Sequence, residues 1–436
     1  MLPLMTTSVA LLAGLMATRV FKKMHLNFPD VTAFLLAGLA VGPFCLGRLG
    51  IPGLGFCTFE DIASLGLLSN VALGFIAFSI GSEFRLSELQ HTGRQALVIG
   101  ILQAVGATVV VDLALFILHL ILGNEILPVS VVITLGAIAS ATAPAATLMV
   151  VRQYKAKGEV TKLLLPIVAL DDAVGLIVFA VSFGIAQALK GGTLNIYSII
   201  VNPLLEIVCS VVLGALLGWI MSKLEKLFYS NSNRLAMTIS FVLLTIALAS
   251  LKIHLGPVQL SCSSLLVCMM LGTSFCNLSE FSADIFTRCE KWTVPLYCVF
   301  FVISGAQLDL SVFSNPSFVL IGVIYILFRC AGKYFGARFS SDLMHCSPNV
   351  RKYLGITLFP QAGVALGMVV TASALGGTEY TVIRNVVLFS VLIYELFGPS
   401  FTKNALIKSG EIVPAPAEKK DRQRFAKKDT PDSAHA

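Results

Sequence analysis

The chain has 436 residues, of which 56% are hydrophobic and only 13% charged, with a net charge of +7 and a mean hydropathy of +0.86. A soluble globular domain carries about 25% charged residues, so a soluble fold of this size is excluded and an all-α polytopic membrane protein is indicated. The excess of positive charge does not mark a nucleic-acid partner. The ten cysteines form no CxxC pair and have no His at ligand spacing, so they read as small buried hydrophobes.

A helix needs about 20 apolar residues to cross the hydrocarbon. In chain order the candidate stretches are 4–20, 29–47, 62–81, 95–121, 126–151, 163–189, 198–221, 235–251, 257–276, 292–310, 316–337, 353–375 and 382–402, thirteen in all. The first lacks the basic start and A-x-A-like cleavage site of a signal peptide, so its retention is expected. The fifth is interrupted by Ser140-Ala141-Thr142-Ala143-Pro144, and the sixth carries adjacent Asp171 and Asp172 near its centre. The seventh is the expected linker and holds Glu206. The eleventh carries Arg329 and Lys333, the twelfth is interrupted by Phe359-Pro360-Gln361-Ala362-Gly363, and the thirteenth carries Glu395. From Pro414 the chain turns polar and basic, so a disordered tail that can touch anionic lipid is expected there.

The Lys and Arg tally sets the expected orientation. With the N-terminus outside, seventeen basic residues fall in the odd, cytoplasmic loops and four in the even loops. This asymmetry predicts an N-out, C-in chain of thirteen spans. Six helices, a linker and six more place the second set upside down relative to the first. The two interruptions fall seven spans apart, at corresponding positions of such an inverted repeat. A proline inside a spanning helix frees backbone groups that something else must satisfy. Paired breaks of this kind point to a midplane site in secondary transporters.

Charged groups inside a membrane are expensive and are functional candidates by default. The deep ones are Asp112, Asp171, Asp172, Glu206, Arg329, Lys333 and Glu395; Glu83 and Asp309 lie near span ends. Neighbouring residues on a helix point about 100° apart, so one aspartate can face a cavity while the other turns to a neighbouring helix. Arg329 and Lys333 are one turn apart and share a face. Lys333 is the favoured partner of one aspartate, because an ammonium can lose its proton when its surroundings change and a guanidinium cannot. Arg329 is left to hold another carboxylate, with Glu395 available, or the broken backbone. A carboxylate binds a proton or a bare cation at the same oxygens. Competition at Asp172 and Asp171 therefore couples two fluxes if the site faces one side at a time. Hard oxygen ligands suit Na+, and Thr142 with the freed carbonyls can add to them.

These residues resemble the monovalent cation:proton antiporter-2 family, in particular the bacterial sodium/proton exchangers with a double aspartate. The carriers of the resemblance are Leu170-Asp171-Asp172-Ala173-Val174-Gly175, Thr142-Ala143-Pro144, Gly332-Lys333-Tyr334-Phe335-Gly336 and Pro360-Gln361-Ala362-Gly363-Val364. A run from Pro29 through Leu36-Ala37-Gly38 to Gly42-Pro43 adds to them. The resemblance implies a homodimer, no cofactor beyond the transported Na+, Li+ or K+ and H+, and an elevator motion of a core domain. It divides the chain into a dimerisation domain (1–94 and 235–310), a core domain (95–190 and 316–405), the linker helix (198–221) and the tail (406–436). It assigns ion and proton carriage to Asp172 and the Lys333 pair to Asp171, and implies exchange that moves net charge. Ala143 departs from the pattern, since relatives often carry a polar or acidic residue there, and this leaves K+ open. The missing nucleotide-binding domain argues against the potassium-efflux branch. An intramembrane aspartyl protease needs its two carboxylates on separate helices, and an organic-anion symporter would predict fewer acidic groups and no Lys333.

Overall fold

The computed structural model describes residues 2–24, 28–51, 54–82, 84–189, 201–251, 253–255, 258–260, 262–308, 310 and 315–412. The first helices are α1 (Leu2–Lys23), α2 (Asp30–Val41), α3 (Phe59–Ala63) and α4 (Gly66–Gly81). They are followed by α5 (Leu86–Leu122), the half-helices α6 (Val129–Ile138) and α7 (Pro144–Gln153), and α8 (Glu159–Leu189). Next come α9 (Asn202–Leu224), α10 (Asn231–Ala249), a hairpin of β1 (Ile253–Leu255) and β2 (Val258–Leu260), α11 (Ser264–Leu278) and α12 (Ser282–Ala306). The last are α13 (Pro316–Leu343), the half-helices α14 (Pro348–Thr357) and α15 (Gly363–Ala372), and α16 (Gly377–Lys408).

Helix dominates because apolar segments in lipid must close their backbone hydrogen bonds within the segment. Eight helices among the described residues are long and apolar enough to cross a membrane. Gly66–Gly81, Val129–Ile138, Ser264–Leu278 and Val364–Leu375 are shorter apolar helices. The all-α class holds, and three expected span extents need correcting. The span 257–276 starts late, since Val258–Leu260 pairs antiparallel with Ile253–Leu255, Ile253 opposite Leu260, and α11 begins at Ser264. Gly256 and Pro257, between these strands in the sequence, are the residue types least able to continue a helix. The stretch 29–47 is α-helical only to Val41 and ends in a 3-10 turn at Leu46–Leu49. α5, α12 and α13 run well beyond the expected spans at one end, because a helix need not stop where its apolar stretch does. The tail from residue 413, with its expected lipid contact, lies outside the described residues, as do Glu83 and Asp309.

Both expected breaks are present, each with a local cause. Pro144 is the first residue of α7, where its missing N–H costs no hydrogen bond and its fixed φ favours a helix start. The proline therefore begins a new half-helix instead of kinking a continuous one. Pro360 lies inside the second break, between the end of α14 at Thr357 and the start of α15 at Gly363.

The buried apolar side chains form two clusters, and the breaks divide them. One cluster joins α1, α2, α4, α11 and α12 to α7, the first half of α8 and α14. The other joins the second half of α5, α6, α15 and the facing parts of α13 and α16. The chain thus passes from the second cluster to the first through α6 and α7, and returns through α14 and α15. The two broken helices run through the middle of the protein in opposite senses.

α13 approaches α5 closely enough to bring their polar residues together. A Cβ on Gly332 would lie 2.7 Å from the Ala107 Cα, and one on Gly336 would lie 3.0 Å from the Gln103 Cα. Backbone cannot yield to such a contact as a flexible side chain can. Gly332→Ala should therefore lower stability by about 1–3 kcal/mol, the usual cost of overpacking. Gly367, with nothing within 4 Å of an added Cβ, is the control: Gly367→Ala should leave stability unchanged or raise it, since alanine favours a helix. Thermal melting of both variants in detergent checks this, and equal losses would contradict the close approach.

Candidate functional site

Ending a helix leaves its last carbonyls without intrahelical donors. Here α6 and α14 both end in the protein interior, and two cations of α13 supply the missing donors. Arg329 donates from Nε to the Ala139 carbonyl at 3.0 Å, from Nη1 to Phe359 at 2.7 Å and from Nη2 to Ala141 at 2.5 Å. Its guanidinium also stacks on Tyr394, 4.6 Å from the ring centroid. Lys333 donates from Nζ to the Ser140 carbonyl at 2.5 Å. Both cations are fully buried. They face the carbonyl ends of the half-helices, where the helix dipole is negative.

The breaks also bond to each other. The Ala143 N–H donates to the Pro360 carbonyl at 2.8 Å. Gln361 donates from Nε2 to the Ile138 carbonyl at 2.8 Å, and its amide bonds the Tyr325 hydroxyl. Thr142, Pro144, Pro360, Gln361 and Gly363 therefore all belong to one crossing point.

The two aspartates leave α8 in different surroundings. Asp171 is fully buried. Its Oδ2 accepts from Thr142 Oγ1 at 2.5 Å and from Lys333 Nζ at 3.1 Å, and Lys333 also donates to Thr142 Oγ1 at 2.9 Å. Its Oδ1 accepts from Gln103 Nε2 on α5, which also donates to the Gly100 carbonyl at 2.9 Å. Every donor that reaches Asp171 is thus itself held in place. Asp172 is different: its Oδ1 is buried without a hydrogen-bond partner. It lines a cavity of about 20 Å³ with Pro144, α4 residues including Ile76 and Ile80, and Leu265 and Met269 at α11. That volume is enough for about one water molecule.

The expected cation ligands do not converge in this state. Asp171 and Thr142 are bonded to each other and to Lys333, while Asp172 lies against a separate, otherwise apolar cavity. Of the two partners open to Arg329, a carboxylate such as Glu395 or the broken backbone, the structure shows the backbone. Arg329 spends its donors on the broken backbone, and Glu395 is buried with Oε2 unpartnered. The reason is reach: the carbonyls of both breaks surround the guanidinium, and the α16 side chain presented to it is Tyr394. Asp112 packs its carboxylate against Gly136 of α6. Sequence reasoning missed Gln103, because it weighed intramembrane charges and passed over a neutral amide. A polar side chain in the middle of a long apolar helix was the available signal.

Two broken helices crossing around buried charges, in a chain with many apolar helices, define the class as a secondary transporter. A family model described as "Sodium/hydrogen exchanger, transmembrane" matches residues 7–401, and the chain belongs to that family. It is 24% identical over 391 residues to the high-affinity Na(+)/H(+) antiporter NhaS3 of Synechocystis sp., covering 82% of this chain and 80% of that protein. It is 22% identical over 342 residues to cation/H(+) antiporter 15 of Arabidopsis thaliana, covering 77% of this chain and 40% of that protein. The fold is similar to that of the sodium proton antiporter MjNhaP1 from Methanocaldococcus jannaschii. The TM-score is 0.64 to its structure at pH 8, with 18% identity and 94% and 97% of the two chains covered. It is 0.72 to the electron-microscopy structure, with 19% identity and 94% and 98% covered. The protein is an integral, multi-pass membrane protein of a cation/proton antiporter family, a transporter and not an enzyme.

Arg329→Met would leave three buried carbonyls without donors, at about 1–3 kcal/mol for each unsatisfied group. A large fall in melting temperature is expected. Glu395→Gln should change it little, because no cation among the described residues pairs with that carboxylate. Melting curves in detergent compare the two, and a comparable loss in Glu395→Gln would restore the Arg329–Glu395 pair.

Proposed function

We propose that the protein exchanges Na+ or Li+ for H+, with cation and proton competing for Asp172, and that Asp171 works through Lys333. The observation that carries this reading is Asp172 Oδ1, buried without a partner at the wall of a cavity beside the Pro144 end of a half-helix. A buried ionised carboxylate without donors is unstable. It is stabilised by a proton or by a bare cation, and the same oxygens cannot hold both. α7 starts beside it, so the positive end of that half-helix favours the anionic form that a cation needs. Asp171 is already saturated by Gln103, Thr142 and Lys333. It becomes available to a cation only when Lys333 moves or loses its proton. In this scheme Thr142 and Asp171 join the cation's oxygen ligands late, after the Lys333 pair opens.

The architecture in this reading has thirteen spans, N-out and C-in. Two inverted repeats of six helices flank the linker α9. The opposite senses of the two broken helices support the inversion. The core domain comprises α5–α8 and α13–α16, and the dimerisation domain α1–α4 and α10–α12, in a homodimer. An elevator stroke of the core must then break the contacts between these units. Besides the apolar cluster that α7, α8 and α14 share with α2, α4, α11 and α12, these include polar contacts: Arg152 Nη2 lies 3.0 Å from Glu290 Oε1, Gln153 Oε1 accepts from the Asp30 N–H at 2.9 Å, and Thr32 Oγ1 donates to the Leu396 carbonyl at 3.4 Å. Glu290 is half exposed, so its ion pair costs little to open. Exchange is electrogenic in this scheme, and each net charge then draws about 2.3 kcal/mol per 100 mV from the membrane potential. A second reading, K+/H+ exchange, is left open by one residue: Ala143 offers no side-chain oxygen where the family resemblance implies that one is often present.

Two outcomes follow. Asp172→Asn should abolish cation-driven proton movement in proteoliposomes under gradients of Na+, Li+ or K+, because an amide cannot trade a proton for a cation. Normal exchange in that variant would end the assignment, and the three gradients rank the cations in the wild type. Lys333→Ala should retain some exchange but change the charge moved per cation, since a titrating cation is lost from the moving set. Currents on a solid-supported membrane measure this, and an unchanged current per cation contradicts the role.

A further inference from the structure

The end of α13 and the start of α14 enclose a cleft of about 380 Å³ that the transport scheme does not use. Arg338 and Asp342 line it from α13, and Arg351 and Lys352 from α14. Three cations face one carboxylate, and that carboxylate is engaged: Asp342 Oδ1 lies 3.0 Å from Arg351 Nη1. Arg351 is oriented a second time by its Nε, which donates to the Cys346 carbonyl at 2.6 Å. The guanidinium is therefore held in place before any ligand arrives. Arg338 makes no ion pair or hydrogen bond among the described residues.

An apolar stripe begins beside the cleft. Phe335, Phe339 and Leu343 are 61%, 66% and 57% exposed. They follow at four-residue intervals, so they line one face of α13, one step round the helix from Arg338 and Asp342. α13 is one of the helices long and apolar enough to span a membrane, and the loop to α14 follows Leu343, so the cleft sits at a membrane surface. A ligand that fits both features carries a phosphate and an acyl chain. A free phosphate would use the cleft and leave the stripe untouched.

We propose that this cleft binds the phosphate headgroup of an anionic phospholipid, with an acyl chain along Phe335, Phe339 and Leu343. The site uses Arg for planar, multidentate contact with phosphate oxygens and Lys as a point charge. Basic pockets between spanning helices suit such headgroups. α14 is the first half of a broken helix, and its far end is the carbonyl cluster held by Arg329. A bound lipid therefore secures the outer end of an element whose inner end forms the crossing. The inference depends on α13 crossing the membrane and is independent of which carboxylate carries the ion.

The test uses the full chain in detergent, titrated with phosphatidylglycerol, with phosphatidylcholine and inorganic phosphate as separate arms. Melting temperature and the number of lipids retained in native mass spectrometry are the readouts. Phosphatidylglycerol should stabilise the wild type and leave at least one bound lipid. In the double variant Arg338→Gln/Lys352→Gln, whose residues are surface-exposed, half-stabilisation should need at least threefold more lipid, and the retained lipid should be lost. Lys155→Gln/Lys157→Gln removes two exposed charges from a different loop and should respond like the wild type. Equal loss in both double variants, or none in either, would mean diffuse attraction to basic loops and overturn the site. Full stabilisation by inorganic phosphate would reassign the cleft to free anions. An equal response to phosphatidylcholine, or no response to any lipid, would also overturn the proposal.

Discussion

Water is absent from the middle of a membrane, so a helix broken there must have its loose carbonyls satisfied by protein. Arg329 answers this constraint at both breaks at once. Its three donor groups reach carbonyls of both breaks, just past the ends of α6 and α14, and Lys333 takes a fourth. The price of burying two cations is offset by carbonyls and by the negative ends of two half-helices, with Asp171 the one carboxylate bonded to them among the described residues. The positions of the breaks, of α13 and of Asp171 are therefore not independent. Moving any one of them leaves a charge or a carbonyl exposed to hydrocarbon.

The inequality of the two aspartates follows from the same geometry. They are neighbours in sequence but leave the helix in different directions. Asp171 turns toward α5 and α13, where close helix packing at Gly332 and Gly336 brings Gln103 and Lys333 within reach. Asp172 turns toward α4 and α11, where no donor meets its Oδ1. One carboxylate is held by three partners, and the other has a buried oxygen, Oδ1, without any. Such a pair suits a site in which one member keeps the local charge balanced while the other exchanges its occupant.

The apolar packing separates the halves of each broken helix. α7 and α14 are built into the cluster that includes α1, α2 and α4, whereas α6 and α15 belong to the cluster around α5 and α13. The crossing lies at the seam between the two. Polar contacts between the helices proposed to move and those proposed to stay are few and partly exposed, as at Arg152 and Glu290. α7, α14 and the first half of α8 share one apolar cluster with α1, α2, α4, α11 and α12, so a stroke of the core has to slide along that apolar face.

The amino-acid sequence alone determined the membrane class, both helix breaks and the helix that carries the double aspartate. These features are legible because each is a local signal: a long apolar run, a proline inside it, and a charge where lipid should be. Even there local chemistry had limits, since the short hairpin before α11 lies in a stretch whose hydropathy suits a span. The tertiary structure alone decided who meets whom. Sequence distance says nothing about whether Arg329 reaches Glu395 or the carbonyls of two breaks, and it could not single out Gln103, a neutral amide on another helix. Those choices depend on the direction in which each side chain leaves its helix and on how closely two helices cross. Asp171 and Asp172 are two adjacent carboxylates with opposite surroundings, set by which neighbour each one faces.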